Sequence, residues 1–248
     1  LNASESITSK TSTVSRRSTS VKSSKSRMML IPEGDFIMGS QSGGLISSPS
    51  FITSLKAYYI DETEVSNEDY YAFVLRERHR PPRHWIGGRP PKGKEKEPVV
   101  MVNWDDANKF CLKQGKRLPR EVEWEKAFRG SDGRKYPWKG DRFYPDYTRT
   151  KESGFNEPVD VDSQTQDSSP YGVKHMAGNV REWVQSTLKP YPNSTYYSSK
   201  VQRRYKVVRG GSWDKPSSYS VGWFRDSLDK VAGALDIGFR CAKPTCNA

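Results

Sequence analysis

Apolar residues in this chain are grouped in short runs separated by polar, glycine and proline positions. Three of these runs predict β-strands: residues 28–31 and 36–38, which flank a Pro-Glu-Gly-Asp turn, and residues 55–60. Short apolar runs bounded by turn residues are typical of strands that end where the chain reverses direction. We therefore expect several short strands in the first quarter of the chain.

A helical spacing of apolar residues first occurs after Ser66. Ser66 and Asp69 have the spacing of a capping box, in which a side chain accepts a hydrogen bond from an unpaired backbone amide. Tyr70, Phe73 and Val74 then fall on one face of the turns that follow. This pattern predicts an amphipathic helix that buries the face with the two aromatic rings.

Two further helices are predicted between residues 103 and 130. One follows Asn103 and stops at Gly115, a residue that favours the end of a helix. Ala107, Phe110, Cys111 and Gln114 share one stripe of this helix. The other begins at Pro119, which is favoured in a first helical turn, and ends at Gly130. Its apolar stripe consists of Val122, Trp124, Ala127 and Phe128.

Irregular backbone is expected over most of the remaining chain. Residues 76–98 form a loop rich in Pro, Gly and basic residues that is too long for a simple connector. Residues 131–248 read mostly as loops and short strands. We predict a single α+β domain with few helices over residues 28–243, preceded by a tail at 1–27 and followed by a second tail at 244–248.

The net charge is unevenly distributed. The 248 residues include 41 Lys and Arg against 29 Asp and Glu, a formal charge of +12. Residues 1–27 contain six Lys or Arg and one acid, so they contribute +5 of that charge. Their Ser- and Thr-rich composition cannot bury enough apolar surface to fold alone. We therefore expect this tail to dock on another protein subunit, and a position along its own domain is the alternative.

Several other classes of protein are disfavoured. The basic tail lacks the aromatic residues that stack on bases, so a nucleic-acid partner is not expected. Aromatic residues form 12% of the chain, too many for a wholly disordered protein. No apolar run approaches the roughly 18 residues of a membrane span, and the N-terminus has no apolar segment of a signal peptide.

Seven blocks of the sequence follow the order and spacing of one known family. They are Met29–Gly39 (MLIPEGDFIMG), Tyr58–Asn67 (YYIDETEVSN), Pro98–Arg129 (PVVMVNWDDANKFCLKQGKRLPREVEWEKAFR), Tyr136–Gly140 (YPWKG), Gly178–Trp183 (GNVREW), Val208–Trp213 (VRGGSW) and Gly238–Cys241 (GFRC). Together they resemble the formylglycine-generating enzyme, or sulfatase-modifying factor, family. The resemblance implies a C-type-lectin-like α+β fold with little regular secondary structure.

The resemblance implies a copper site that this chain has lost. Active members use two cysteines after a Gly-Gly-Ser block to bind Cu(I) and activate oxygen, because soft thiolates suit Cu(I). Counted from Ser212, these positions fall on Lys215 and Ser220. Neither can be a thiolate, and the Lys215 ammonium would repel a copper ion. We therefore expect no bound copper and no oxidation of a substrate cysteine to formylglycine.

Structural calcium is a further feature that the resemblance implies. In the Gly178–Trp183 block, Gly178 and Val180 would supply backbone carbonyls and Glu182 a carboxylate. His175 stands where the family often has Asn or Asp, and Ser153 stands where a second calcium site has an acid. Calcium prefers oxygen ligands. We expect at most one weakened calcium site, with no bound metal as the alternative.

The histidines offer little support for the sister activity of this family, iron-dependent sulfoxide synthesis, which normally uses three histidines from a separate helical domain. The chain has three histidines, and His79 and His84 lie five positions apart in the loop at 76–98. That spacing does not place both on one face of a helix. Stacking or hydrogen bonding at the surface is expected for them rather than metal binding.

The resemblance also implies a pairing of two cysteines. Cys111 and Cys241 match a pair that forms a disulfide in some family members, and two buried free thiols are the alternative. A disulfide would place the protein outside the reducing cytoplasm, in the periplasm or cell envelope. Cys246 is left over and could be free or could pair with another chain.

The residues and the resemblance together predict a catalytically inactive domain that acts as a protein-binding or scaffold subunit of a larger extracytoplasmic assembly. Arginines 117, 209 and 240 are expected to brace loops by bidentate pairing. The predicted partner surface mixes aromatic and charged residues, as interface hot spots do. It consists of Trp213, Asp214, Lys215, Tyr219, Ser220, Trp223, Phe224 and Arg225. For its aromatic residues, a place in the core is the alternative. The alternative function is a divergent metal-dependent oxidase or maturation enzyme that uses the same cleft.

Overall fold

A computed structural model describes residues 27–199 and 202–245 of the chain. The predicted docking role of the basic tail therefore falls, apart from Arg27, outside the described residues, as does Cys246. The helices are α1 (Asn67–Glu77), α2 (Trp104–Lys113) and α3 (Glu121–Arg129). The strands are β1 (Met28–Ile31), β2 (Gly34–Met38), β3 (Phe51–Leu55), β4 (Tyr58–Asp61), β5 (Arg181–Thr187), β6 (Tyr205–Arg209), β7 (Asp226–Asp229), β8 (Ile237–Gly238) and β9 (Ala242–Pro244).

The strands form three small sheets. One has the order β1-β4-β9, the second is the β2-β3 hairpin, and the third has the order β7-β6-β5-β8. All neighbours pair antiparallel except β5 and β8, which are parallel. Long irregular segments connect these elements, and the α+β class with little regular secondary structure is confirmed.

Two predicted boundaries are wrong, and both errors come from partners far along the chain. The predicted strand at 55–60 is two strands, because β3 ends at Leu55 in one sheet and β4 begins at Tyr58 in another. The third helix begins at Glu121 rather than Pro119. The Pro119 carbonyl accepts a hydrogen bond from the Gln185 amide at 2.8 Å, so β5 holds this residue outside the helix.

The predicted helix caps are confirmed where their partners are local. The Ser66 hydroxyl accepts a hydrogen bond from the Asp69 amide at 3.1 Å. The Asn103 side chain accepts one from the Asp106 amide at 2.8 Å. Such caps satisfy amides that the first turn of a helix leaves unpaired. Gly130, which has a φ of +69°, ends α3 as predicted.

Two buried clusters form the core, and a disulfide joins distant parts of the second. The first surrounds Trp124 and Phe128 of α3. The second packs Tyr70 of α1 against Phe110 of α2 and includes both Cys111 and Cys241. These two cysteines form a disulfide with a Cα–Cα distance of 5.6 Å across 130 positions of sequence. The predicted disulfide is confirmed over the alternative of free thiols.

No helix within residues 27–199 and 202–245 is both long enough and apolar enough to cross a lipid bilayer.

Candidate functional site

The two positions that correspond to the copper-binding cysteines lie in the loop between β6 and β7. A double glycine at 210–211 brings the start of this loop against residues 176–177. A Cβ atom on Gly211 would lie 2.3 Å from the Ala177 carbonyl oxygen, so no other residue fits there without movement of the backbone. The close approach fixes where Ser212 and the loop beyond it leave the sheet.

Lys215 has become part of an ion-pair cluster. Its ammonium nitrogen lies 3.1 Å from Asp214 Oδ2 and 3.7 Å from Asp236 Oδ2. Asp236 also accepts hydrogen bonds from Arg181 Nε at 2.9 Å and from the Ser212 hydroxyl at 3.0 Å. Burial disfavours the ionised form of Asp236, but these bonds and the two cations hold its pKa below the usual range.

Sequence reasoning missed Arg181 and Asp236. Arg181 lies in β5, and its guanidinium also donates a hydrogen bond to Asp226 Oδ2 at 3.0 Å. Asp236 precedes β8, which pairs with β5. A cation inside a buried strand requires a carboxylate partner. The position of Arg181 in the Gly178–Trp183 block could therefore have indicated that such a partner exists. The partner itself lies 55 residues away and could not be identified without the sheet order.

Ser220 lies inside the domain. It is fully buried, and its hydroxyl oxygen has no hydrogen-bond partner among the described residues. The hydroxyl lies 2.7 Å from the position that a Cβ on Gly211 would take. The binding role of Ser220 stays a prediction, and in this conformation the domain encloses its side chain. Cu(I) does not fit these positions, since Lys215 supplies an ammonium and Ser220 a buried hydroxyl.

Arg225 is also a structural residue in this conformation. Only 3% of it is exposed, and it donates two hydrogen bonds to the Glu121 carboxylate at 2.6 and 2.9 Å. A further bond at 2.7 Å reaches the Ile46 carbonyl oxygen. In this conformation Arg225 braces the loop against α3 and residues 45–47, and its predicted role in binding stays a prediction.

The acidic side chains of α3 pair with arginines, one of which also binds the loop between β6 and β7. Arg209, which is fully buried, donates to Glu121 at 2.9 Å and to Glu125 at 2.8 Å. The same guanidinium donates to the Gly222 carbonyl oxygen at 2.5 Å. Arg117 pairs with both oxygens of Glu123 at 2.6 and 2.7 Å. Arg117 braces by the bidentate pairing that the sequence predicts, whereas Arg209 bridges two different carboxylates.

One aromatic residue of the loop lines an open groove. Trp213, Tyr219, Trp223 and Phe224 are all half-buried. The Trp223 ring lies 5.2 Å from the Arg129 guanidinium carbon. Of these four side chains, Trp223 lines a groove of about 450 Å³ that also borders β2 and the turn after it. Its lining also includes Ile37, Gly39, Ser40, Gln41, Ser42, Ser50, Gly133, Lys135 and Asp141. The wall from β2 was not predicted, because it lies far from the loop in sequence.

The predicted calcium ligands are engaged with other groups. Glu182 is fully buried, and Arg240 donates to both of its carboxylate oxygens at 2.7–3.0 Å. Trp124 Nε1 donates to the same carboxylate at 2.9 Å. A Cβ on Gly178 would lie 2.4 Å from the Arg149 carbonyl oxygen. Calcium at Gly178, Val180 and Glu182 stays a prediction, and it would require Arg240 to release an oxygen.

The described part of the chain also contains no group of three or more His, Cys, Asp or Glu side chains arranged to hold a metal ion. His79 lies 2.9 Å from Asp106 Oδ1, a contact that agrees with the hydrogen-bonding role expected from the sequence. His84 is half-buried, and burial lowers the pKa of its ring.

Glu64 lies beside the Arg240–Glu182 pair and makes the stability of this region depend on pH. Its Oε1 accepts a hydrogen bond from Asn179 at 3.0 Å, while Oε2 is 3.9 Å from Arg240 Nη2 and has no hydrogen-bond partner among the described residues. Burial, reinforced by the Glu182 charge and opposed by Arg240, raises the pKa of Glu64 from 4.5 to about 8. Between pH 4.5 and about 8, Glu64 therefore keeps its proton in the folded protein and loses it in the unfolded chain.

We expect the Glu64→Gln variant to differ from the wild type in its pH dependence. A raised folded pKa contributes stability that is present below pH 4.5 and is lost as the pH rises toward 8. Glutamine removes this loss, so the variant should gain free energy of unfolding relative to wild type between pH 5 and 8. His175, whose pKa burial lowers to about 3, acts in the opposite direction below pH 6.5 in both proteins and cancels in the comparison. Urea unfolding at several pH values measures the difference, and a constant difference would contradict the expectation.

Comparisons with known proteins agree with this geometry. A family model described as the sulfatase-modifying factor enzyme 1-like domain matches residues 13–245. The inactive C-alpha-formylglycine-generating enzyme 2 of Mus musculus is 28% identical over 272 residues, which cover 87% of this chain and 85% of that protein. The formylglycine-generating enzyme of Streptomyces coelicolor is 28% identical over 281 residues, with 86% and 87% covered. The solved structure of Treponema denticola variable protein 1 has a TM-score of 0.75 at 23% identity, covering 91% of this chain and 98% of that one, and shows a similar fold.

Proposed function

This chain belongs to the family of sulfatase-modifying factor enzyme 1-like domains, and from that premise we propose that it is a catalytically inactive formylglycine-generating-enzyme-like domain. In this proposal the chain acts as a protein-binding or scaffold subunit of a larger extracytoplasmic assembly. Its structured loops present a surface to a partner, and no oxidation takes place in the loop between β6 and β7.

The observation that carries the proposal is the replacement of both metal-binding thiols. Lys215 places an ammonium between Asp214 and Asp236, at 3.1 and 3.7 Å, where the family's chemistry needs a soft anion. Ser220 places a buried hydroxyl at the second position. Within the described residues, the only cysteines are Cys111 and Cys241, which are joined in a disulfide. No thiolate is then available to hold Cu(I) in this cleft.

The relatives support both the proposal and its alternative. The relative in Mus musculus is named an inactive C-alpha-formylglycine-generating enzyme, whereas the relative in Streptomyces coelicolor is named a formylglycine-generating enzyme. The alternative for this chain is therefore a divergent oxidase or maturation enzyme that uses a different metal site in the same cleft. Stoichiometric binding of copper or iron together with oxidation of a peptide thiol would favour it.

The groove beside Trp223 is the surface that we assign to the protein partner. Trp223 is a residue type that contributes strongly to protein interfaces, and Lys135 adds a cation to the same groove. Exposed apolar side chains lie on the neighbouring hairpin, where Ile37 is 38% and Ile52 is 72% exposed. These two residues are direct cross-strand neighbours in the β2-β3 pair. An extended segment of a partner protein with apolar and acidic side chains suits this combination.

The proposed location outside the cytoplasm rests on the disulfide. Bonds of this kind persist in oxidising compartments such as the periplasm and are rare where thiols are kept reduced. Cys111 and Cys241 are both completely buried, so their bond is shielded from reductants once the domain has folded.

Site-specific photo-crosslinking tests the partner surface in the native source. A photoreactive phenylalanine analogue at position 223 should yield one discrete protein adduct that is also present in the purified native particle. The same analogue at Phe155, an aromatic residue that is 53% exposed outside the groove, serves as the matched control and should not yield that adduct. A monodisperse native monomer without an adduct at position 223 would contradict the proposal.

A further inference from the structure

A second cavity lies away from the loop between β6 and β7. It has a volume of about 480 Å³, which is within the range of roughly 300–1,000 Å³ that is usual for small-molecule sites. Its walls are formed by residues of three irregular segments, at 145–149, 153–159 and 163–165, and by His175. The lining includes Tyr147, Arg149, Phe155, Gln164, Thr165 and His175.

Arg149 is a cation without a carboxylate partner in this cavity. Among the described residues, no carboxylate oxygen lies within the 4.0 Å of an ion pair, whereas Arg181, Arg209, Arg225 and Arg240 each have one. The Arg149 guanidinium carbon lies 3.4 Å from the centre of the Phe155 ring. The face of the ring attracts the cation and holds it in this position. Its Nη1 is buried and has no hydrogen-bond partner among the same residues. The guanidinium is therefore positioned, and its Nη1 donor is unused within the described part of the chain.

His175 adds a second unused polar atom to the same wall. The residue is 3% exposed, and its Nε2 is buried without a hydrogen-bond partner in the described part of the chain. Its backbone has a φ of +59°, a conformation that costs free energy for a residue with a side chain. A neutral imidazole has one donor and one acceptor nitrogen, and backbone hydrogen bonds at Ser163 and Val161 already engage the ring. Buried polar atoms without partners are uncommon in proteins, and two in one cavity point to a missing partner.

The charge of the lining favours an anion over a cation. His175 and Ser153 occupy the two positions where the family resemblance implies acidic or amide ligands for calcium, and both line this cavity. One acid, Asp146, remains in the lining, and its side chain is exposed at the rim. The lining thus contains a guanidinium, hydroxyls and an imidazole, with Asp146 as its one carboxylate.

We propose that this cavity binds a small ligand through an oxyanion group, a phosphate or a carboxylate, that pairs with Arg149 and lies beside the ring of His175. Guanidinium groups pair with such oxyanions in a bidentate geometry. The aromatic rings of Tyr147 and Phe155 leave room for an apolar portion of the ligand. The inference does not depend on the partner surface proposed above.

Isothermal titration calorimetry with inorganic phosphate and with benzoate, at constant ionic strength, tests the proposal and separates the two sources of an oxyanion. The wild type should bind at least one of them at one site per chain, with a matching rise in melting temperature. The Arg149→Gln variant should bind that anion at least tenfold more weakly. Arg89→Gln, which removes an exposed arginine of the loop at 76–98, should bind as the wild type does.

The remaining outcomes of this experiment each overturn the proposal. They are absence of binding by both anions, equal affinities of wild type and Arg149→Gln, and equal weakening in Arg149→Gln and Arg89→Gln. Calcium chloride that stabilises the wild type where both anions do not would also overturn it. If Arg149→Gln fails to fold, Arg149→Lys retains the charge but loses the bidentate fork. Weaker binding of the preferred anion by the lysine variant then supports the assignment, and unchanged binding contradicts it.

Discussion

Replacing Arg240 by methionine is expected to lower the free energy of unfolding by about 3–5 kcal/mol. Arg240 is fully buried and donates to Glu182 with its shortest bond at 2.7 Å. It also donates to the Lys174 carbonyl oxygen at 2.8 Å and to the Glu62 carbonyl oxygen at 3.0 Å. Methionine fills much of the space but leaves the Glu182 charge buried with only the Trp124 indole as a donor. An uncompensated buried charge is the dominant cost of such a change.

Two further variants separate this cause from a general loss of packing. Arg134→Met breaks an ion pair with Asp132, whose carboxylate is 56% exposed, and should cost no more than about 1 kcal/mol. Adding Glu182→Gln to Arg240→Met removes the stranded charge while keeping an acceptor for Trp124. That double variant should recover part of the loss in chemical denaturation. A double variant less stable than Arg240→Met alone would show that the cost arises from something other than the charge.

Loss of the disulfide is the second change with a large expected effect. The bond between Cys111 and Cys241 closes a loop across 130 positions of sequence. In the chain-entropy model, a loop of that length contributes about 5 kcal/mol, and native disulfides typically contribute about 2–5 kcal/mol. We therefore expect Cys111→Ala with Cys241→Ala to lower the midpoint of urea unfolding strongly, because the unfolded chain gains the freedom that the bond removes.

A reductant provides the internal comparison for the disulfide variant. Wild-type protein that is unfolded and refolded in reductant should match the double alanine variant, apart from the small cavity that each missing sulfur leaves. The double variant itself should not respond to reductant. Equal midpoints for the variant and the oxidised wild type would contradict a stabilising role. They would also weaken the argument that the domain matures in an oxidising compartment.

Sequence patterns predicted the features whose partners are close along the chain. The caps at Ser66 and Asn103 involve amides three residues away, so the residue types and their spacing were sufficient. The stop at Gly130 depends on one backbone conformation that glycine adopts easily. Family blocks supplied the Cys111–Cys241 pair, which spacing alone would have left open. The α+β class followed from the shortness of the apolar runs.

The site was only partly predictable because its contacts join distant segments. Arg225 looked like an exposed interface residue, but it reaches the Ile46 carbonyl oxygen, 179 positions away, and the α3 acid Glu121. Asp236 pairs with both Arg181 and Lys215, and this arrangement depends on β5 pairing with β8. The break between β3 and β4 has the same origin, because the two strands belong to different sheets. Local patterns contain no information about such pairings.

The central claim is that this chain holds no copper in the loop between β6 and β7 and does not oxidise a peptide thiol. The direct measurement titrates Cu(I) anaerobically against a chelator, then adds oxygen and a cysteine-containing peptide and analyses the product by mass spectrometry. We predict no stoichiometric copper and an unoxidised peptide for the wild type, whereas Lys215→Cys with Ser220→Cys should gain Cu(I) binding, since paired thiolates are suitable ligands. Stoichiometric copper and a peptide aldehyde formed by the wild type would contradict the account.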